Sequence, residues 1–448
     1  MDAEEEGEKK RVTLADDPSN KAMVTLADDP SNKAMVQKVL HPLPPDILRE
    51  ILSRLPITSL IHFKTTSHAC YDLIADPRLP PMFHNRVSDS NPCLILYHHN
   101  SVAPRPLQLY FVDSEDCSRR VRKIDPPQHS EVYNLVGSCN GLLCVSYPNP
   151  TLWRTRSLLI YNPFVGHAVS VPPAKELLNQ SEFFGFGCHP RTGEFKLVRI
   201  VYYQKIMTVV DPALDVEEVD EESVEEVDEE SVEEVDEEFV TVDKSMVQVL
   251  TVGTTKWRNK GATPPHLVDV FRPPEAQVEG SLLWVTVVGT GELGSILGII
   301  SFDLADEVFE EIPHPPCEQL VSGGYSLSVL NRCLSAAGLP DSVHFDIWVM
   351  KQYRVKESWV KQLSFDFFFI FGGRPSAWPR RPRRLPKVIC ALKNGEILLE
   401  HNYGSLVSYD PVEHRSKTLQ MIALPKHFQA LPFLPSLFSA EATVNLQL

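Results

Sequence analysis

Apolar positions follow two different rhythms along this chain. Between Leu43 and Phe83 they recur at helical spacing, and from about Asn91 onward they fall into short blocks divided by turn residues. A small helical segment followed by a long β-rich one is therefore predicted. In LPPDILREILSRLP, Ile47, Ile51, Leu52 and Leu55 make one stripe, while Arg49, Glu50, Ser53 and Arg54 occupy the other face. Pro44 and Pro45 open this helix and Pro56 closes it. Thr58 or Ser59 is placed to cap a second short helix carrying Leu60, Ile61 and Phe63. Leu73 and Ile74 sit on a third, stopped at Asp76-Pro77. Three helices in about 40 residues bury too little surface to be comfortable alone, so a partner is expected to complete their core.

The β-like blocks include GLLCVSY (141 to 147), FKLVRIVYY (195 to 203), SLLWVTVV (281 to 288) and EILLEH (396 to 401), separated by Asn-Gly, Asn-Pro, Thr-Gly and Asp-Pro turns. Three stretches share one arrangement: apolar strand, aromatic, Asn or Asp, turn, second strand. They are LLIYNPFVGHAVSVPP, IISFDLADEVFEEIPHPP and SLVSYDPVEHRSKTLQM, and each predicts an antiparallel hairpin. Their anchors Tyr161, Phe302 and Tyr409 lie 141 and 107 residues apart. Residues 211–243, which contain VEEVDEES twice and then VEEVDEEF, read as an acidic low-complexity insertion in a surface loop. Without those 33 residues the first interval becomes 108; cutting only the 24 residues of the octads gives 117. Two blades of about 50 residues per interval suit a β-propeller. A β-sandwich is the alternative.

The segment L-P-x-D-x-L-x-x-I-L-x-R-L-P-x-x-S-L, from Leu43 to Leu60, resembles an F-box, in particular that of plant F-box proteins. The resemblance implies binding to a Skp-type adaptor, and through it to a cullin and a RING subunit in an SCF ubiquitin ligase. Carried onto this sequence, Leu43, Pro44, Ile47, Ile51, Leu55, Pro56, Leu60 and Phe63 would face the adaptor or hold the helices that do. The family commonly continues with a V-S-K-x-W ending, where this chain has Thr66, Ser67, His68, Ala69 and Cys70. Loss of that aromatic weakens the expected docking. The later region resembles the plant F-box-associated, kelch-like domain through GSCNGLLC (137 to 144), YNPFVGHAVSVPP (161 to 173), FGFGCHPRTGEFKLVRI (184 to 200), VLTVGTTKWR (249 to 258), VEGSLLWV (278 to 285), ISFDLADEVFEEIPHPP (300 to 316), FDIWVMKQYRVKESWVKQL (345 to 363) and ALKNGEILL (391 to 399). In that family the domain recruits a target protein, sometimes a glycoprotein, without catalysis. The expected organisation is a tail at 1–38, a three-helix F-box at 39–85 and a β-propeller-like domain at 91–425 with the acidic insertion inside it. VTLADDPSNKAM at 12–23 recurs unchanged at 24–35, which marks the tail as a recent duplication in a disordered segment.

Charge first looks informative and then does not. The formal charge is −16, but Asp215 to Glu238 alone holds sixteen carboxylates and no Lys or Arg; removing them from the 59 acidic residues leaves 43 against 43 basic ones. Such a balance argues against a nucleic-acid surface. No run of about 18 apolar residues predicts a membrane span, and the acidic start lacks the pattern of a signal peptide. Nine cysteines, odd in number and without CxxC spacing, read as free thiols in a reducing compartment, cytoplasmic or nuclear.

Candidate chemistry is sparse. Gly289, Gly291 and Gly294 spell GxGxxG, but a strand follows in place of the helix that would hold a pyrophosphate, so a hairpin loop is predicted. No Walker, GxSxG or HExxH motif occurs, and the fifteen histidines show no ligand spacing. No catalytic residues, metal or cofactor are expected. PRRPRRLPK (379 to 387) with Arg374 gathers six positive charges; a solvated loop, a nuclear-targeting signal, an acidic-target dock and a contact with the acidic tract are all compatible. SFDFFFIF (364 to 371) reads as a buried strand. The sequence thus predicts a non-catalytic substrate receptor of an SCF ligase with an unknown target, or else an F-box-like scaffold without ligase function, or a glycan-binding propeller.

Overall fold

The aromatic-Asn/Asp pattern of the three hairpins has a direct structural counterpart. In a computed structural model, Asn162, Asp303 and Asp410 each follow their anchor aromatic, and each side-chain oxygen accepts a backbone N–H: that of Phe164 at 2.9 Å, of Ala305 at 2.7 Å and of Val412 at 2.8 Å. A short carbonyl or carboxylate side chain thereby closes an Asx turn. The structure describes residues 43–87, 92–97, 108–113, 121–124, 134–148, 156–165, 168–174, 180–207, 239–264, 274–291, 294–341, 343–371, 385–401, 404–419 and 427–440. The duplicated tail, residues 211–238 of the acidic insertion, Cys117 and all of the basic run before Leu385 lie outside them.

The β region is a six-bladed propeller of four-stranded antiparallel sheets. Blade 2 holds β4 (Asn134–Cys139), β5 (Leu142–Pro148), β6 (Arg156–Tyr161) and β7 (Ala168–Ser170). Blade 3 holds β8 (Gln180–Cys188), β9 (Phe195–Met207), β10 (Phe239–Thr251) and β11 (Arg258–Gly261). Blade 4 holds β12 (Ala276–Val278), β13 (Ser281–Gly291), β14 (Gly294–Asp303) and β15 (Phe309–Ile312). After a short helix α5 (Glu318–Gly323), blade 5 holds β16 (Tyr325–Leu330), β17 (Cys333–Gly338), β18 (His344–Met350) and β19 (Trp359–Asp366). Blade 6 holds β20 (Lys387–Ala391), β21 (Ile397–His401), β22 (Ser405–Asp410) and β23 (Arg415–Leu419). Tyr161, Phe302 and Tyr409 therefore sit on the third strands of blades 2, 4 and 6, all buried. The sequence interval between them is two blades.

Blade 1 is composite. Its β1 (Cys93–Tyr97), β2 (Leu109–Val112) and β3 (Val121–Ile124) are joined by β24 (Gln429–Phe433), so the end of the chain closes the ring. This strand lies beyond 425, where the sequence reading ended the β-domain. Pro432 hides it: proline reads as a strand breaker but is tolerated on an edge with no second neighbour to bond, and β24 pairs with β1 alone. Around the ring β24 neighbours β4 and β4 neighbours β8, β8 lies against β13 of blade 4, and β12, β16, β20 and β24 follow as successive neighbours. The hydrophobic core is accordingly divided into slabs between blades, such as Leu197 with Leu142 between blades 2 and 3 and Tyr409 with Phe345 between blades 5 and 6.

Two further readings are corrected. Phe239 to Asp243, assigned to the acidic insertion, belong to β10 and pair with β9 from Phe239 opposite Met207. SFDFFFIF is not one strand: β19 ends at Asp366, whose carboxylate accepts the Phe368 N–H at 2.8 Å and turns the chain into α6 (Phe367–Phe371). Phe367 and Ile370 are buried from that helix. The GxGxxG run is the β13–β14 hairpin, with Gly291 opposite Gly294.

Candidate functional site

The helical unit is built on proline punctuation. Pro44 precedes α1 (Pro45–Leu52), and its carbonyl accepts the N–H groups of Ile47 and Leu48 at 3.0 and 3.1 Å. Proline fits here because the first helical N–H groups have no intrahelical acceptor. The helix ends before Leu55, since the residue preceding Pro56 is barred from helical geometry. Pro56 then starts α2 (Ile57–Lys64), accepting from Ser59 at 3.0 Å, so neither Thr58 nor Ser59 is the cap. Ser67 caps α3 (His68–Ile74) by accepting the Cys70 N–H at 3.2 Å. A fourth helix, α4 (Leu79–Val87), follows the Asp76-Pro77 stop and buries Leu79 and Phe83. Its paired prolines hid the spacing of those two residues. Residues 435–438 belong to this same compact unit, with Phe438 edge-on to His84 at 6.1 Å.

Arg49 is the main departure from the amphipathic reading. Instead of facing water it is 4% exposed, donating to Asp76 at 2.6 Å and pairing with Asp46. Arg78 also donates to Asp76, and its hydrogen bonds, with those of Arg49, hold the Asp76 carboxyl at about 2. Ser53 is likewise buried, donating to the Glu50 carbonyl at 2.9 Å. Glu50 joins α1 to α4, accepting from Arg54 at 2.7 Å and from Arg86. These two guanidinium groups lower its carboxyl below the usual range.

With α1 held by its polar side, its apolar side is left in solvent. Leu43, Ile47 and Ile51, spaced four apart, are 40%, 47% and 46% exposed. Pro44 and Pro56 are exposed, while Leu55 and Phe63 are half-buried. Leu60 is fully buried and can only hold the helices in place. Tyr71, which the sequence did not single out, is 49% exposed with Lys64 over its ring at 5.0 Å. Cys70, at the position of the family's aromatic, is sealed inside with Leu52 and Ile74 also buried. An apolar row on a helix fixed by ion pairs is suited to receive a protein surface.

Residues 40–81 match the model of the F-box domain, and residues 109–377 match that of the F-box associated beta propeller domain. The chain belongs to the F-box proteins with an F-box-associated propeller. Among relatives, F-box protein At3g07870 of Arabidopsis thaliana is 31% identical over 402 residues, covering 85% of this chain and 87% of that protein. F-box protein CPR1 of Arabidopsis thaliana is 26% identical, covering 84% of each chain. F-box/kelch-repeat protein At3g23880 of the same plant is 24% identical, covering 52% of this chain and 53% of that one. In this F-box protein the row Leu43, Ile47 and Ile51 is exposed to solvent. Among the described residues no helix is long and apolar enough to cross a membrane, and no three His, Cys, Asp or Glu side chains gather as metal ligands do.

Proposed function

We propose that this F-box protein is the substrate receptor of an SCF-type ubiquitin ligase. Its helical unit binds a Skp-type adaptor and through it the cullin and RING subunits, and its propeller holds the target. The observation that carries this reading is the exposed row Leu43, Ile47 and Ile51 on an ion-paired helix. Catalysis would be by proximity: fixing a target lysine near the ubiquitin-charged conjugating enzyme raises its effective concentration. Leu55, Pro44, Pro56 and Phe63 extend the docking surface, with Leu60 beneath it.

The test is capture of the full chain by a Skp-type adaptor. Ile47→Ala with Ile51→Ala removes apolar contact without touching Arg49 or Leu60, and adaptor affinity is expected to fall at least ~30-fold, as for paired interface anchors worth about 1 kcal/mol or more each. Unchanged capture by that folded variant overturns the assignment of the face. A second reading, an F-box scaffold that binds its target without ubiquitylation, is favoured by Cys70 standing where the family has an aromatic. It predicts that the wild-type chain is not captured at all.

A further inference from the structure

Blade 5 carries a carboxylate, an indole and an ammonium that neither ring closure nor adaptor docking uses. Asp346 and Trp348 lie two apart on β18 and so share one face of the sheet. Lys361 of the edge strand β19 stands opposite Trp348, because a bulge sets Gln362 out of the ladder and brings Lys361 round to the indole. The Lys361 ammonium lies 5.4 Å from the centre of the Trp348 ring and 2.6 Å from Asp346 Oδ2. One lysine therefore touches both groups. Its own side chain is 46% exposed, whereas that of Asp346 is 1% exposed.

The carboxylate is charge-compensated but not satisfied. Lys361 approaches it as an ion pair off the hydrogen-bonding direction, and neither Asp346 oxygen accepts a hydrogen bond from the described residues. The Trp348 Nε1–H is likewise buried without an acceptor among them. Gly338, opposite Asp346 on β17, has no side chain, and the Gly324 carbonyl fills the place its Cβ would take, which adds an acceptor on that side. A buried carboxylate ordinarily collects directed donors, since leaving its lone pairs unmatched away from water is costly. An ammonium on a flexible stem is a point charge. A guanidinium instead offers two parallel N–H donors that match the plane of a carboxylate, and a flat face that stacks on an aromatic ring. The arrangement suits such a planar cation better than it suits Lys361.

We propose that this face of blade 5 binds an arginine side chain of the target, with Lys361 filling the place until the arginine displaces it. The guanidinium bridges both oxygens of Asp346 and lies on the Trp348 ring. The Trp348 N–H donates to a carbonyl of the segment that carries the arginine, and Lys361 swings out to solvent from the sheet edge. While Lys361 fills the site, the apparent affinity for arginine is lowered by the fraction of time the site stands open. The inference rests on the reading of the propeller as the part that holds a target, but arginine binding itself needs neither adaptor nor ubiquitin.

The experiment titrates the full-length protein, labelled with ¹⁵N-tryptophan, with Nα-acetyl-arginine amide, and uses Nα-acetyl-citrulline amide as the neutral probe of the same shape. The Trp348 indole N–H signal, assigned by its loss in Trp348→Phe, is expected to shift with the arginine probe and not with the citrulline one. Lys361→Ala opens the site, so the arginine probe is expected to bind at least ~10-fold more tightly and to raise the melting temperature of that variant. Asp346→Asn added to Lys361→Ala is expected to abolish the response, with circular dichroism confirming that each chain compared is folded. Should Lys361→Ala not fold, the wild-type titration decides. A silent Trp348 signal, an equal response to citrulline, or a folded Lys361→Ala that binds no more tightly than wild type overturns the proposal. Failure of adaptor capture by the wild type would overturn the ligase reading and leave the arginine result as it stands.

Discussion

Arg49 shows how one side chain can reverse the reading of a helix face. Burying a guanidinium is unfavourable unless carboxylates replace the lost water, and Asp46 and Asp76 do so here. Asp76→Ala leaves a buried donor with one partner fewer; destabilisation of the helical unit by about 1–3 kcal/mol is expected in chemical denaturation. The pH dependence has a definite sign. Asp76 is depressed to about 2 from an ordinary 3.8, so its contribution is complete above about pH 4 and is lost as pH falls toward 2. Following helix content from pH 5 to pH 2, the wild type is expected to lose this increment and Asp76→Ala to lack it. The partnership was not legible in the sequence, because 27 residues separate Arg49 from Asp76 and only the fold brings them together. Ile47 and Ile51 were read on one side of the helix from their four-residue spacing and are exposed there, whereas Leu52, read into the same stripe, is buried.

At the scale of elements, legibility followed the strength of the local turn chemistry. The Asx turns after Tyr161, Phe302 and Tyr409 are written in two adjacent residues and were read from them. Turns such as Asn331-Arg332, which joins β16 to β17 with φ of 49° and 64°, place a non-glycine residue where glycine is usual and give no such signal. Blades 3 and 5 share a different device. Trp257 donates to the Pro172 carbonyl at 2.9 Å and Trp359 to the Pro313 carbonyl at 2.8 Å, each joining an odd blade to the end of the blade before it. Replacing either tryptophan with Phe keeps most of the apolar surface but removes the donor; each change is expected to destabilise the propeller by about 1–2 kcal/mol, and both by a similar amount if the latches are equivalent. α6 offers a second pH handle. His401 is buried against Phe371 at 4.4 Å, and burial lowers its pKa. Because the unfolded histidine takes up a proton near 6.5 while the folded one resists, propeller stability is expected to decline as pH falls below about 6.5. Differential scanning calorimetry of His401→Phe should show a shallower decline over pH 7.5 to 5.5.

For the whole molecule, the last stretch of chain serves both compact units in turn. β24 closes blade 1 at Phe433, residues 435–438 join the helical unit, and Ala440 returns to the core between blades 2 and 3. Glu400 of blade 6 fastens this stretch by accepting the Ala430 N–H at 2.7 Å. The helical segment, judged from its length to need a partner, thus receives part of its core from residues 354 positions away, the separation of His84 and Phe438. Phe438→Ala tests this. A half-buried ring should contribute less than the ~3–5 kcal/mol of a fully buried phenylalanine, yet the loss falls on a small unit with little core to spare. The variant is expected to keep its β-type circular dichroism and propeller melting temperature while its helical unit melts earlier and its Skp-adaptor capture weakens. A variant that captures adaptor as well as wild type and melts in the same way would show that the described helices of this unit hold their fold without the Phe438 ring.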